Sequence, residues 1–279
     1  MRIALAQTSA GPDRDKNLER ATGAMVRARA SGADLIAFPE LAVEPFFPQN
    51  EHDPTASERA EPIPGPTSDC IASKARELEL VTVFNMYERD SDGRAFDSSP
   101  VFDSDGSLLG VTRMVHITDY ICFHEKEYYD PGNNGAPVYD TRVGAVGVAI
   151  CYDRHYPEYM RALGVAGAEL VVIPQAGAVG EWPEGLYEAE VRTAAFQNGY
   201  FAALCNRVGE EERLTFSGES FVVDPAGCVV ARGERLAEDL LLADIDLAVC
   251  KTSHARTLFL RDRRPELYAG WLGPGETSM

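Results

Sequence analysis

Hydrophobic and polar positions alternate between two periods along this chain. Residues 2–8 (RIALAQT) form a short apolar run that meets turn residues at 9–13, and residues 16–30 then return Leu18, Ala21, Met25 and Ala28 at helical spacing. The strand signal recurs at 33–38, a helix is expected over 68–80, and 81–87 (VTVFNMY) reads as a strand again. Strand-like segments at 95–102 and 107–117 flank the turn-rich Asp103-Ser-Asp-Gly106, which reads as a hairpin connection. Residues 143–150 (VGAVGVAI) make an uninterrupted small-apolar strand, Pro157 is suited to the first turn of a helix reaching about residue 167, and 169–173 is a further buried strand. A helix over 183–198, a strand over 200–206, a hairpin across 224–227 and a strand over 239–245 complete the pattern. Strands alternating with helices and interrupted by hairpins predict an α/β fold with mixed sheets. With no low-complexity linker or fixed-period repeat, one domain over residues 1–279 is the simplest organisation.

Charge narrows the functional classes. The formal net charge of −18 argues against a nucleic-acid partner, because phosphate backbones are bound by basic patches. The one dense basic run, Arg261-Asp-Arg-Arg264, reads as a solvated tail. With 45% hydrophobic and 25% charged residues a sizeable core is expected. No apolar run suits a signal peptide or a membrane span, which predicts a cytoplasmic protein without a membrane partner. The six cysteines have neither zinc-site spacing nor disulfide density, and the histidines are scattered, so neither a metal nor another cofactor is expected.

Two residues stand out for chemistry. Cys151 directly follows the strand at 143–150 and precedes the helix expected at Pro157, which places its thiol at a carboxyl edge of the sheet, where open α/β folds hold ligands. A nearby helix N-terminus would lower its pKa and favour the thiolate. Glu40, in FPEL, ends the strand at 33–38 and would reach the same kind of edge, where a carboxylate can serve as base toward a thiol.

Together with FPEL, the segments EKEYYDPGN (125–133) and AICYDRHYPE (149–158) make the chain resemble the carbon–nitrogen hydrolase, or nitrilase, superfamily over nearly its whole length. GAELVVIPQAGAVGEW (167–182), CNRVGEE (205–211) and SGESFVVDPAG (217–227) are similar to the branch that hydrolyses N-carbamoyl amines and amino acids. The resemblance implies a four-layer α-β-β-α sandwich and a homodimer or larger homo-oligomer, with a C-terminal tail from about residue 256 used in assembly. It implies Cys151 as nucleophile, Glu40 as general base and Glu125 as a second, supporting glutamate. In that chemistry the thiolate attacks an amide or ureido carbonyl, ammonia leaves, and water releases the acyl or carbamoyl group from the sulfur. The Tyr152 backbone N–H is the natural oxyanion donor.

One position departs from the pattern. Where the family motif reads Tyr-Arg-Lys-x-His this chain reads Thr112-Arg-Met-Val-His116, so Met114 stands in the place of a lysine and cannot neutralise an oxyanion. Arg113, His116 and Lys126 are the candidate substitutes; strand alternation turns Arg113 away from the Met114 face, which favours Lys126 beside Glu125. The rival reading is a weakened or silent homologue that binds or assembles without turnover. Arg154, three residues after Cys151, occupies a position that can hold a substrate carboxylate in relatives acting on N-carbamoyl amino acids, and this favours a substrate such as N-carbamoyl-β-alanine; pairing with an acidic neighbour is the alternative. N-carbamoylputrescine, other amides and nitriles stay open. His155, Gln175 and Trp182 are expected to line the pocket.

Overall fold

A computed structural model describes residues 1–272. The first sheet contains β1 (Arg2–Gln7), β2 (Leu35–Ala37), β3 (Val81–Val83), β4 (Met86–Arg89), β5 (Ala95–Phe102) and β6 (Leu108–Arg113). The second contains β7 (Val138–Thr141), β8 (Gly144–Val148), β9 (Leu170–Gln175), β10 (Phe201–Asn206), β13 (Phe221–Val223) and β14 (Val229–Arg232), and a separate ribbon pairs β11 (Val208–Glu210) with β12 (Thr215–Ser217). Strand β15 (Asp239–Asp244) returns to the first sheet, giving the order β15-β1-β2-β3-β5-β4 with β6 on β5; the second runs β14-β13-β10-β9-β8-β7.

Inner-face side chains of both sheets share one dry layer: Ile3, Leu5, Leu35 and Val81 from the first meet Val148, Val172 and Ala203 from the second. Helices α1 (Arg14–Ala30) and α3 (Pro66–Leu78), separated by the short α2 (Ala56–Arg59), bury Met25, Ala28 and Ile71 on the outer face of the first sheet. Helices α4 (Pro157–Val165) and α5 (Leu186–Asn198) bury Leu163, Val191 and Ala195 against the second. The result is the α-β-β-α sandwich that the resemblance implied. Strands β1, β2 and β3 run parallel, as do β8, β9 and β10, so each sheet gathers three carboxyl ends, and the loops leaving them carry the site.

The differences from the sequence pattern have local causes. The segment read as one strand over 81–87 breaks after Val83, where the Asn85 side chain turns inward to bond Leu41 and Asp97. The strand expected to reach residue 117 stops at Arg113, because the N–H groups of Val115 and His116 donate to the Asp153 carboxylate rather than to a neighbouring strand. Helix α5 begins at Leu186 rather than 183, behind Gly185 with a left-handed φ of 81°. Among the described residues no helix is long and apolar enough to cross a membrane. Past residue 255 the chain forms a turn (Ala255–Phe259) and α6 (Pro265–Leu272), leaving Leu258, Phe259, Leu267 and Trp271 exposed; the last seven residues of the expected assembly tail lie outside the described residues.

Candidate active site

The structure brings Cys151, Glu40 and Glu125 together, the thiol sulfur and one carboxylate oxygen of each glutamate lying within 4.8 Å of one another, and all three residues are buried. Cys151 lies three residues beyond β8 at a φ of 43°, a left-handed conformation unfavourable for a side chain and one of the ways a fold holds a reactive group outward from a turn. It opens the 3₁₀ turn Cys151–His155, and Tyr152 follows in the first turn, where backbone N–H groups have no partner within the helix and suit a developing oxyanion. Gln175, ending β9, donates from Nε2 to the sulfur at 3.2 Å. Arg154 fixes that amide: its Nη1 donates to Gln175 Oε1 and to the Cys151 carbonyl, both at 2.9 Å.

Glu40 sits just past β2, on a loop that its neighbours hold rigidly. Leu41 takes a left-handed φ of 47°, and its N–H donates to Asn85 Oδ1 at 2.6 Å. Arg207, 1% exposed, donates to the carbonyls of Glu40 (2.8 Å), Leu41 (2.6 Å) and Glu44 (2.9 Å) and pairs with Glu211 at 2.5 Å. Glu125 starts a 3₁₀ turn (Glu125–Glu127), and its Oε2 accepts the Thr118 N–H at 3.4 Å. Sequence reasoning missed Arg207, Asn85 and Asp97, a fully buried aspartate whose carboxyl faces Glu40. The signal was present in polar types placed inside otherwise buried strand segments: Asp97-Ser-Ser in β5, and Arg207 beside Asn206 in CNRVGEE.

Burial dominates the electrostatics. It pushes Glu40 up to about 8, assisted by the charge of Glu125. Burial also drives Glu125 well above the carboxylate range, with Asp97 adding to it. The Cys151 thiol likewise goes well up, from burial first and then the charges of Glu40 and Glu125, with Arg154 opposing. This corrects the expectation of a lowered thiol: helix α4 begins six residues later, and the two carboxylates outweigh it. The thiol and the Glu40 carboxyl thus both hold their protons more tightly than the free groups do.

The same groups set a pH dependence of stability. A carboxyl whose folded pKa lies above its unfolded value stabilises the fold below the unfolded pKa and loses that contribution as pH rises through the folded one. Glu40 (about 8) and Glu44, raised to about 7 by burial, place that loss between about pH 4.5 and 8. The melting temperature measured by calorimetry is expected to fall from pH 5 to pH 8.5, and to fall less in Glu40→Gln; a rise over that interval in wild type would contradict these assignments.

The remaining predicted residues fall as follows. Met114 is fully buried in the apolar cluster that contains Cys151. Lys126 is exposed on its turn, so the favoured substitute cation is not brought to the thiol. Arg113 is held by Glu88 at 2.5 Å and lies 4.0 Å over the Phe96 ring, and His116 pairs with Asp153 at 2.7 Å while stacking on Tyr156. Arg154 lies buried behind the nucleophile, 4.3 Å over the Tyr187 ring, with Nε 3.5 Å from Glu190. That carboxylate also accepts from His155 Nδ1 at 2.7 Å, which fixes the proton of the ring on Nδ1. His155 packs edge-on against Trp182 at 5.3 Å, and Trp182 meets Tyr120. Tyr120 and Tyr187 both donate to Glu181, completing an acidic and aromatic rim.

A buried thiol flanked by two carboxyls, with an amide aimed at the sulfur and no histidine in the cluster among the described residues, defines a cysteine-nucleophile hydrolase of amide-type carbon–nitrogen bonds. A sequence model of the family described as carbon–nitrogen hydrolase matches residues 2–255, and the chain belongs to that family. It is 30% identical to a citrullinase of Francisella tularensis, over 96% of each chain. It is 31% identical to an N-carbamoylputrescine amidase of Arabidopsis thaliana, over 95% of this chain and 93% of that protein. Among solved structures, a carbon–nitrogen hydrolase from Helicobacter pylori G27 superimposes with a TM-score of 0.91 at 29% identity, over 98% of both chains. An amidase variant from Nesterenkonia sp. AN1, bearing the acetamide moiety of fluoroacetamide on its active-site cysteine, matches with a TM-score of 0.83 at 28% identity, over 98% of this chain and 97% of that one.

Proposed function

We propose that this hydrolase removes the terminal carbamoyl group of a small N-carbamoyl compound through a thiocarbamate on Cys151. The observation that carries the reading is the Cys151–Glu40–Glu125 cluster with Gln175 on the sulfur. Glu40 takes the thiol proton, the thiolate attacks the ureido carbon, and the Tyr152 N–H receives the oxyanion. Glu40 then returns the proton to the terminal nitrogen, which leaves as ammonia, and activates the water that cleaves the S–C bond of the bound carbamoyl group, returning the thiol and freeing a carbamic acid that loses carbon dioxide to give the amine. The curated relatives support the carbamoyl class, one being named for N-carbamoylputrescine and another, 30% identical over 97% of this chain, a beta-ureidopropionase. Arg154, whose Nη2 meets no hydrogen-bond partner among the described residues although its Nε lies 3.5 Å from Glu190, supports a carboxylate-bearing substrate, as in N-carbamoyl amino acids. The apolar side chains exposed past residue 255 fit a homo-oligomer.

Ammonia release across N-carbamoyl-β-alanine, N-carbamoyl-α-amino acids, citrulline, N-carbamoylputrescine, simple amides and nitriles tests this. The carboxylate-bearing carbamoyl compounds are expected to exceed the simple amides by at least about tenfold in kcat/KM, the effect of one well-placed polar contact. Arg154→Gln is expected to raise KM for them more than for N-carbamoylputrescine. Equal loss of kcat on every compound would mean that Arg154 only braces Gln175 and the nucleophile turn.

A further inference from the structure

Among the described residues no ammonium reaches the site, and the residue packed beside Glu40 is an extra acid. Asp97, near the middle of β5, is fully buried, and its carboxyl lies within hydrogen-bond reach of the Glu40 carboxyl. Neither Glu40 oxygen nor Asp97 Oδ2 meets an N–H or O–H donor among the described residues. Asn85 locks the two groups into one unit: its Nδ2 donates to Asp97 Oδ1 at 2.6 Å while its Oδ1 accepts the Leu41 N–H at 2.6 Å, beside Glu40. The Asp97 carbonyl accepts the Met114 N–H at 2.9 Å, so this acid is tied directly to the residue that stands where the resemblance places a lysine.

The surroundings do not supply the missing charge. Glu125, Cys151, Tyr129, Asp153 and Glu181 all face the pair or its neighbours, and the Tyr129 hydroxyl, also buried, has no partner among the described residues. Among the described residues the nearby cations are Arg207, whose guanidinium is taken up by backbone carbonyls and Glu211, and Arg154, which bonds Gln175 and the Cys151 carbonyl and faces Glu190 at 3.5 Å. Two carboxyl groups in contact away from water cannot both ionise, so one keeps a proton. Asn85 donates to Oδ1 of Asp97 and leaves Oδ2 to carry that proton, while Glu40 also faces the thiol it must deprotonate.

We propose that Asp97 is a positioning residue that keeps a proton on Oδ2 and donates it as a hydrogen bond to the Glu40 carboxylate, giving that base the compensation Met114 cannot. This rests on the role of Glu40 in the proposed function. In the attack step the Cys151 S–H proton moves to Glu40, the sulfur electron pair forms the S–C bond, and the carbonyl pair moves onto oxygen. The proton on Glu40 passes to the leaving nitrogen as the C–N bond breaks, and Asp97 keeps its own proton throughout.

Two readouts that need no substrate test this, so a failed substrate panel would count against the proposed function and leave the Asp97 test intact. Difference infrared spectra of wild type against Asp97→Asn at pH 7 are expected to show the loss of one protonated-carboxyl C=O band. Loss of a carboxylate band alone would overturn the proposal. The pH dependence of Cys151 alkylation by iodoacetamide, followed by peptide mass spectrometry, gives the second. Asp97→Asn, whose amide can still donate, is expected to keep the wild-type midpoint, and Asp97→Ala to move it upward by about one unit. One common midpoint for all three proteins would also overturn it, and if Asp97→Ala fails to fold, the Asn spectrum still decides.

Discussion

Cys151→Ala is expected to bring ammonia release down to background, a loss of about four orders of magnitude or more, the scale on which removal of a covalent nucleophile acts. The fold should persist, because the sulfur makes one side-chain hydrogen bond, from Gln175, and alanine tolerates the φ of 43° no worse than cysteine does. Circular dichroism and size-exclusion elution unchanged beside abolished turnover would separate chemistry from structure. Turnover surviving in a folded Cys151→Ala protein would remove the thiol from the mechanism.

The largest effect on stability is expected at Arg207. Its guanidinium supplies three main-chain carbonyls of the loop from Glu40 to Glu44 and pairs with Glu211, all away from water, and it lies 5.2 Å over the Phe216 ring. Arg207→Met removes the buried cation that faces Glu211 and the Arg207 hydrogen bonds to the Glu40 and Glu44 carbonyls, leaving Glu211 only its donors from Phe46 and Gln49, which costs about 3–5 kcal/mol. Urea unfolding should show that loss as a lower midpoint at constant slope. The surviving folded protein should also lose activity, since the left-handed turn at Leu41 that aims Glu40 would lose two of its donors. A change under about 1 kcal/mol would mean that the loop is held by Asn85 and packing alone.

Much of this site was legible in the chain because its reactive groups follow apolar strands. The runs at 33–38 and 143–150 point to Glu40 and Cys151 as residues leaving sheet edges, and the parallel order of β1-β2-β3 and β8-β9-β10 places those edges as expected. Glu125 carries no such local signal, since it lies on a 3₁₀ turn far from any strand; only the resemblance brought it in. The supporting groups were hidden for a different reason. Asn85, in the break between β3 and β4, bonds Asp97 in β5, and Arg207 bonds carbonyls more than 160 residues away in sequence, contacts that no spacing within one segment encodes. Lys126 shows the opposite failing: adjacency to Glu125 suggested a shared site, but neighbouring residues on a tight turn point apart, and one is buried while the other meets solvent. The thiol's electrostatics were misjudged because helix proximity is readable in sequence, whereas the burial of two carboxyls around the sulfur exists only in the folded chain.

The most direct test of a cysteine nucleophile served by Glu40 is to trap it. Wild-type protein incubated with fluoroacetamide and examined by intact and peptide mass spectrometry is expected to gain one acetamide moiety, on the peptide containing Cys151 and on none of the other five cysteines, with slower gain in Glu40→Gln and no gain in Cys151→Ala. An adduct shared with the exposed Cys228, or confined to any cysteine other than Cys151, would contradict the account.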